Sequence, residues 1–291
     1  MSWTSLTPFK FLERYQTELV EHESLHCLAW AAISRSESAG ESTGPTDHFF
    51  VPDEATESAV FAILNVNKMG LILSGMNNAQ ARKLMAFLDE CRFEPDTVEG
   101  PLQVVESFLG HWTQYPHRSH AVLLNQGLYE LRSVLATRRR DGQMVAGARE
   151  HIETLTHFLV GFMNDCFPQT AIDRNSLAQK AEQLVTRGKA FLWKNASGSL
   201  VSMASIVRES PNTSSISLVY TPPDERGKGY AGQLMETLSQ SQLNTGKVAC
   251  NLFTDLDNPT SNKVYLRIGY QQIMHMLRVK MNYPARSQEA P

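Results

Sequence analysis

The chain has 291 residues and a mass of 32.6 kDa, which fits one large domain or two of ordinary size. Hydrophobic residues make up 42% and charged residues 20%, a composition typical of soluble globular proteins that excludes disorder of the whole chain. The net charge of −3 shows no basic excess, so neither nucleic acid nor an anionic membrane is the expected partner.

The first half of the chain predicts an α/β arrangement. Apolar residues at three- and four-residue spacing predict a helix over 9–33, and the polar stretch 34–48 predicts a loop. The runs that follow predict strands at 49–51, 59–66 and 69–75, helices at 79–92 and 101–112, and strands at 120–126 and 128–136.

The first residues of the chain lack the unbroken apolar run of a signal peptide. No stretch of the chain approaches the roughly 20 apolar residues that are needed to span a bilayer. We therefore expect a cytoplasmic protein.

A charged, glycine-containing segment at 138–143 predicts a linker between two domains, residues 1–137 and residues 144–291. The second domain continues the α/β order. Its predicted strands are 144–148, 190–195, 200–208, 215–221, 248–255 and 270–281, and its predicted helices are 150–167, 176–188, 231–242 and one that begins at 258–259.

One candidate motif lies near the N-terminus, where His22, Glu23 and His26 satisfy H-E-x-x-H. On a helix, the two imidazoles face the same way and could hold zinc, while the glutamate could polarise a metal-bound water. A third ligand would have to be Glu37, Glu41 or Glu54. Because so short a pattern often arises by chance, an ordinary helix surface is favoured over a zinc hydrolase.

The second candidate is a glycine turn between a strand and a helix. The strand 215–221, with Ile216, Leu218 and Tyr220 predicted on one face, leads through two prolines to R-G-K-G-Y-A-G at 226–232. The next helix begins directly at the glycines, so its free N–H groups and positive dipole end form an anion site. This turn predicts a ligand that carries a diphosphate.

A second well-marked helix start follows further along the chain. Asn258 predicts its N-cap, and Pro259 its first helical position. One side of that helix carries Asn258, Ser261 or Asn262, and Tyr265. A tyrosine hydroxyl has a reference pKa near 10, so it is protonated at neutral pH and can give a proton to a leaving thiolate.

These two segments resemble the GNAT superfamily of acyl-coenzyme A N-acyltransferases. The family's pyrophosphate motif, R/Q-x-x-G-x-G/A, matches 226–231, and its later N-x-x-S/A-x-x-x-Y-x-x-x-G-F/Y pattern matches Asn258, Ser261, Tyr265, Gly269 and Tyr270. The resemblance covers 143–283. It implies a predicted acetyltransferase with two tandem GNAT-like domains, each a mixed sheet flanked by helices, of which the C-terminal, FR47-like one carries the coenzyme A site.

The resemblance also implies residue roles and acetyl-coenzyme A as the co-substrate, with no metal. Backbone groups for the pantetheine arm would be Val219, Tyr220 and Thr221. Groups for the pyrophosphate would be Arg226, Gly227, Lys228, Gly229, Tyr230, Ala231 and Gly232. Asn258 and Ser261 would contact the cofactor, and Tyr265 would protonate the departing sulfur. Lys228, Lys263 and Arg267 are candidates for the ribose phosphate, although an exposed charge on a helix surface is usually only that.

The chemistry leaves the base and the acceptor open. Many family members carry a glutamate on the strand before the glycine turn, but residues 214–220 contain no acid. Glu209, Asp255, a water chain or an already neutral amine could serve. We expect direct attack without an acyl-enzyme, because no cysteine or serine stands beside a recognisable base. The acceptor would be a small-molecule or peptide amine, and a non-catalytic acyl-coenzyme A sensor is the alternative.

The first half of the chain lacks the glycine series that the second half carries. It offers Gly75 and two asparagines at 77–78 in place of R-x-x-G-x-G. We therefore expect an inactive first copy of the GNAT unit, which walls the acceptor pocket or mediates pairing into a homodimer.

Overall fold

The computed structural model describes residues 3–39, 47–54, 56, 58–136, 141–168 and 170–283. The elements of the first half are β1 (Trp3–Leu6), α1 (Pro8–Glu21), α2 (Cys27–Ala39), β2 (Asp47–Pro52), β3 (Ala62–Asn65), β4 (Gly70–Leu73), α3 (Asn78–Glu90), β5 (Thr97–Pro101), α4 (Leu102–Trp112) and β6 (Ser119–Leu131). Those of the second half are β7 (Gln143–Ala146), α5 (Ile152–Cys166), α6 (Arg174–Thr186), β8 (Ala190–Lys194), β9 (Leu200–Glu209), β10 (Thr213–Tyr220), α7 (Tyr230–Asn244), β11 (Ala249–Asp255), α8 (Pro259–Ile268) and β12 (Gln271–Asn282).

The chain divides into two compact units. The first contains the chain up to Leu128, the segment Asp255–Asp257 and the chain from Ile273 onward, and the second contains Tyr129–Thr254 and Asn258–Gln272. The last strand, β12, therefore lies mostly in the first unit, although it follows the second along the chain. The predicted division into residues 1–137 and 144–291 places β12 wholly in the second domain, whereas the observed division places most of β12 in the first unit. The predicted linker residues 138–140 lie outside the described residues.

The sheet of the first unit has the order β1-β2-β3-β4-β5-β12. Its neighbours are antiparallel except β4 and β5, which run parallel. β12 pairs with β5 from Met276 opposite Pro101 to Lys280 opposite Thr97. Because this pairing is long range, no local pattern in the sequence predicts it.

Helices cover both faces of the first sheet, and this explains why its strands are continuous apolar runs. One core cluster joins α1 and α2 to the sheet through Phe11, Leu19, Ile33, Phe49 and Phe61. Another core cluster joins α3 and α4 to the sheet through Leu84, Phe108, Leu71, Val98 and Val279. Asn77 and Gln80 form a capping box at the start of α3, which fixes where that helix begins.

The sheet of the second unit has the order β11-β10-β9-β8-β7. Neighbouring strands are antiparallel except β10 and β11, which run parallel. α5 and α6 cover one face in a core cluster that includes Leu155, Leu159, Leu192, Met203, Leu218 and Tyr220. α7 packs against β8 and β9 and buries Leu234, Met235 and Leu238.

The predicted α/β class is confirmed, but three local predictions are wrong. The helix predicted over 9–33 is two helices, because the chain turns at 22–26. α2 continues to Ala39, into the stretch predicted as a loop. The strands predicted at 120–126 and 128–136 are one strand, β6, which ends at Leu131. Among the residues that the structure describes, every helix is too short or too polar to traverse a lipid bilayer.

Candidate functional site

The candidate site begins where β10 separates from β11. The pairing of these parallel strands covers only 213–215 against 249–251. A buried hydrogen bond from Ser215 Oγ to Asn251 Oδ1, 2.6 Å long, lies at the end of this paired segment. Beyond it, β10 continues to Tyr220 with a register shift against β9. The strands thus part toward their carboxyl ends, where ligands bind in open α/β sheets.

A bulge shapes the end of β10. Leu218 has a φ of 57°, a left-handed conformation that leucine rarely adopts, and the register against β9 shifts between Ser217 and Tyr220. The bulge interrupts the strand alternation predicted for Ile216, Leu218 and Tyr220. The backbone oxygen of Tyr220 accepts a hydrogen bond from Ser202 Oγ at 3.0 Å, and Thr221 Oγ1 donates to the same Ser202 oxygen at 2.9 Å.

The glycine turn lies between β10 and the next helix, in the order that the sequence predicts. Gly227 has a φ of 75° and Gly229 a φ of 86°, both left-handed. α7 begins at Tyr230, and among the described residues no side chain caps its N-terminus. The first-turn N–H groups of a helix have no intrahelical partner, so Tyr230, Ala231 and Gly232 lie where an anion can accept from the main chain.

The cationic side chains of the turn are paired with carboxylates. Arg226 donates to Asp165 on α5, and Lys228 Nζ lies 2.9 Å from Glu225 Oε2. The hydrogen bond to Glu225 raises the pKa of Lys228. Both cations are about half exposed, so these pairs are partly screened by solvent.

The other predicted site residues lie on α8. The Asn258 side chain accepts a hydrogen bond from the backbone N–H of Ser261 at 3.2 Å, which confirms Asn258 as the N-cap. Tyr265 is buried, and its ring contacts the Tyr270 ring edge-on with centroids 6.0 Å apart. Burial raises the pKa of the Tyr265 hydroxyl above its ordinary value, and the electrostatic interaction with Cys166 at the end of α5 raises it further. This hydroxyl therefore stays protonated at neutral pH.

α7 and α8 lie against each other within the second unit. A Cβ added at Gly232 would lie 3.6 Å from Cγ1 of Val264, the residue before Tyr265. Lys263 and Arg267, the candidates for the ribose phosphate, are exposed on α8. The first turn of α7 thus lies beside Val264 of α8.

The two carboxylates considered as bases, Glu209 and Asp255, lie at the ends of two different strands. Glu209 pairs in register with Ser214, at the opposite end of β10 from Tyr220, and its Oε2 lies 2.5 Å from Lys189 Nζ. Six strand residues correspond to about 20 Å, so Glu209 lies far from the glycine turn. Asp255 is the last residue of β11, and its Oδ1 accepts from the backbone N–H of Asp257 at 2.9 Å.

The H-E-x-x-H segment does not form the single helical face that a zinc site requires. α1 ends at Glu21, and His22, Glu23 and His26 lie in the turn before α2. Glu23 is buried while His22 is exposed, and the His26 ring packs 5.6 Å from the Phe61 ring. Burial lowers the pKa of His26 to about 4. The described part of the chain contains no group of three or more His, Cys, Asp or Glu residues placed to hold a metal.

Comparison with known families identifies the segment that carries these elements. Residues 196–279 match the family model described as FR47-like protein. This segment is an FR47-like domain. The FR47-like domain begins just before β9 and ends within β12, so it contains the end of β10, the glycine turn, α7 and α8.

Similarity to solved structures extends beyond the FR47-like domain to nearly the whole chain. A GNAT-family acetyltransferase from Colwellia psychrerythraea is 14% identical with a TM-score of 0.58, over 97% of this chain and 100% of that one. A GCN5-related N-acetyltransferase from Sphaerobacter thermophilus is 14% identical with a TM-score of 0.61, over 96% and 94%. A Drosophila protein is 13% identical with a TM-score of 0.64, over 96% and 98%. No curated protein matches the sequence.

At 13–14% identity, similarity to these solved structures establishes the fold of this chain. The chain therefore has the GNAT fold, and the fold class predicted from the sequence, an α/β chain of two GNAT-like units, is confirmed. The predicted resemblance is confirmed for the C-terminal half by its FR47-like domain.

The sequence reasoning missed residues on α5 that contact the candidate site. Asp165 binds Arg226, and Gly161 packs against the Tyr220 ring so closely that an added Cβ would lie 2.2 Å from the hydroxyl oxygen. The Asp165 contact has no local signal in the sequence, because Asp165 and Arg226 are 61 residues apart. The glycine in the middle of a helix was the one available sign of a close approach.

Proposed function

We propose that the chain transfers an acyl group, most simply acetyl, from a coenzyme A thioester to a primary amine by direct attack. The observation that carries the proposal is the uncapped start of α7 at two left-handed glycines, directly after β10. Backbone N–H groups and a positive dipole end at such a start favour a phosphate. The turn leaves room for coenzyme A at Gly227, where a Cβ would meet nothing within 4 Å.

The proposed ligand contacts follow the order of the chain. Backbone groups of 219–221 would hold the pantetheine arm, and the turn 226–232 would hold the diphosphate. Asn258 and Ser261 would contact the same ligand from the start of α8. The thioester supplies an activated carbonyl, and the protein supplies the groups that orient it.

Tyr265 is the proposed acid. Amine attack on the carbonyl develops negative charge on oxygen and then expels a thiolate, so the reaction needs a proton at the departing sulfur. The Tyr265 hydroxyl is protonated at neutral pH, so it has that proton to give. The amine proton would leave to water, because Glu209 lies at the other end of β10.

The acceptor class of the proposal is a small-molecule or peptide amine, acted on in the cytoplasm. The proposal includes neither nucleic acid nor a membrane as partner, and it includes pairing of two copies through the first unit. No metal takes part in it, since amine attack on a thioester needs only hydrogen-bond donors and an acid.

Two measurements test this function. Calorimetry should detect binding of coenzyme A, and acetyl-coenzyme A with a panel of amines should release free thiol. On an accepted amine, Tyr265→Phe should lower kcat by about 100-fold, within the range of general acid catalysis. Tyr270→Phe is the matched control, because it removes a buried hydroxyl that lies 2.8 Å from Ser239 Oγ and should leave turnover nearly unchanged.

The outcomes separate the alternatives. Coenzyme A binding without thiol release for any amine would favour a non-catalytic acyl-coenzyme A sensor. Absence of binding by folded protein would refute both functions, and full turnover by Tyr265→Phe would remove only its role as the acid.

A further inference from the structure

The guanidinium of Arg226 is held by groups from two other elements. Its Nε donates a hydrogen bond to the backbone oxygen of Thr221 at 2.9 Å, and its Nη2 donates to Oδ2 of Asp165 at 2.5 Å. Its Cζ lies 5.7 Å from the centroid of the Tyr220 ring. The Arg226 side chain therefore ties the glycine turn to the end of β10 and to α5.

This arrangement changes the role expected of Arg226. A guanidinium has five N–H donors in a fixed plane, and the contacts to Thr221 and Asp165 use one of its edges. The main-chain N–H groups at the start of α7 receive no side-chain cap from the part of the chain that the structure describes. Diphosphate binding would then depend on how accurately the turn presents these N–H groups, and the Arg226 side chain fixes the turn.

Asp165 is itself held in place, because α5 is anchored to the end of β10. One turn before Asp165, Gly161 lies so close to Tyr220 that an added Cβ would be 2.4 Å from Cζ of that ring. Another turn earlier, the Phe158 ring lies 5.8 Å from the Tyr220 ring. The carboxylate thus has a fixed position beside the turn, although Asp165 is about half exposed.

We propose that Asp165 is a positioning residue for the acyl-coenzyme A site, which acts through Arg226 to hold the glycine turn in its ligand-binding conformation. This inference rests on the proposed function. Nothing in the motif that predicts the site includes α5, so the assignment comes from the geometry alone. Because the pair is partly exposed, its loss should cost a small factor in affinity rather than abolish binding.

The test compares three variants of the full chain. Asp165→Asn should weaken acetyl-coenzyme A binding and raise its KM about two- to fivefold, with kcat nearly unchanged. Asp165→Glu keeps the carboxylate and should restore part of the affinity. Glu153→Gln is the matched control, because it removes an ion pair of the same helix, with Arg174, and should leave affinity unchanged.

A double variant tests whether the effect passes through Arg226. Arg226→Gln should weaken binding, and adding Asp165→Asn to it should weaken binding no further. Additive losses would overturn the proposal, because independent effects add. Tighter binding by Asp165→Asn would also overturn it, since the carboxylate would then compete with the diphosphate for Arg226. The proposal would also be overturned if Asp165→Asn left acetyl-coenzyme A binding unchanged, or if Glu153→Gln lost as much affinity as Asp165→Asn.

One readout does not depend on coenzyme A. The Arg226 Nε–H should exchange slowly with solvent in NMR spectra of the unliganded protein, and Asp165→Asn should speed this exchange. If wild-type protein bound no coenzyme A, the proposed function would fail. Unchanged exchange in Asp165→Asn would then overturn the positioning role separately, and faster exchange would support it.

Discussion

Gly161 on α5 provides a sensitive test of how the second unit is packed. A Cβ at this position would lie 2.2 Å from Oη, 2.4 Å from Cζ and 3.0 Å from Cε1 of Tyr220. Carbon atoms in contact are normally about 3.5–4.0 Å apart, so Gly161→Ala cannot be accommodated without moving the ring or the helix. Movement of the ring would disturb the core cluster under α5, of which Tyr220 is a member.

Two opposing free energies determine the stability of Gly161→Ala. Alanine gains up to about 1 kcal/mol over glycine inside a helix, whereas overpacking a core costs about 1–3 kcal/mol. A contact this short belongs at the upper end of that cost, so we expect a net loss of about 1–2 kcal/mol. For a unit of this size, that loss corresponds to a fall in Tm of about 2–8 °C. Because Tyr220 ends β10, coenzyme A affinity should fall as well.

The assay is thermal and urea unfolding, followed by calorimetry with coenzyme A. Gly110→Ala on α4 is the control, because a Cβ there meets nothing within 4 Å and only the helix preference remains. It should stabilise the protein by up to about 1 kcal/mol. Tyr220→Leu should reduce the cost of Gly161→Ala by at least about 0.5 kcal/mol in a double-mutant cycle. A Gly161→Ala protein as stable as wild type would refute the packing argument.

Two further predictions concern backbone strain and pH. Gly227→Ala should lower the free energy of unfolding, measured in urea, by about 1–2 kcal/mol. The backbone φ of 75° is unfavourable for alanine, although the added Cβ would meet no atom within 4 Å. An unchanged urea midpoint would argue against the left-handed turn. His26 has a reference pKa of 6.5 and a folded pKa of about 4, so the unfolded chain binds its proton first and stability should fall as pH drops from about 6.5 to about 4. Urea unfolding over this range should show a flatter pH dependence for His26→Leu, and parallel curves would contradict the buried, neutral His26.

Elements with strong local signals were predictable. The N-cap at Asn258 followed by Pro259 placed the start of α8, and the glycines at 227 and 229 placed the start of α7. Both signals act within one turn of backbone, so the rest of the fold has little influence on them. For the same reason, the two motif segments of the candidate site could be found from the sequence.

Features that depend on packing were not predictable. The break at 22–26 joins two helices that both bury apolar residues, so the spacing of those residues continues across it. Leu218 carries no sign of its left-handed φ, which is imposed by the register of β10 against β9. The same holds for Asp165, whose contact with Arg226 exists only because α5 lies across the end of β10.

The pairing of β12 with β5 has a consequence for how the protein is made. During synthesis, the ribosome produces every element from β7 to α8 before the strand that completes the first sheet. Until then, the apolar positions that Leu277, Val279 and Met281 will cover stay open, together with an unpaired strand edge that is prone to aggregation. A truncation before residue 273 should therefore destabilise the first unit, although it leaves residues 1–272 intact.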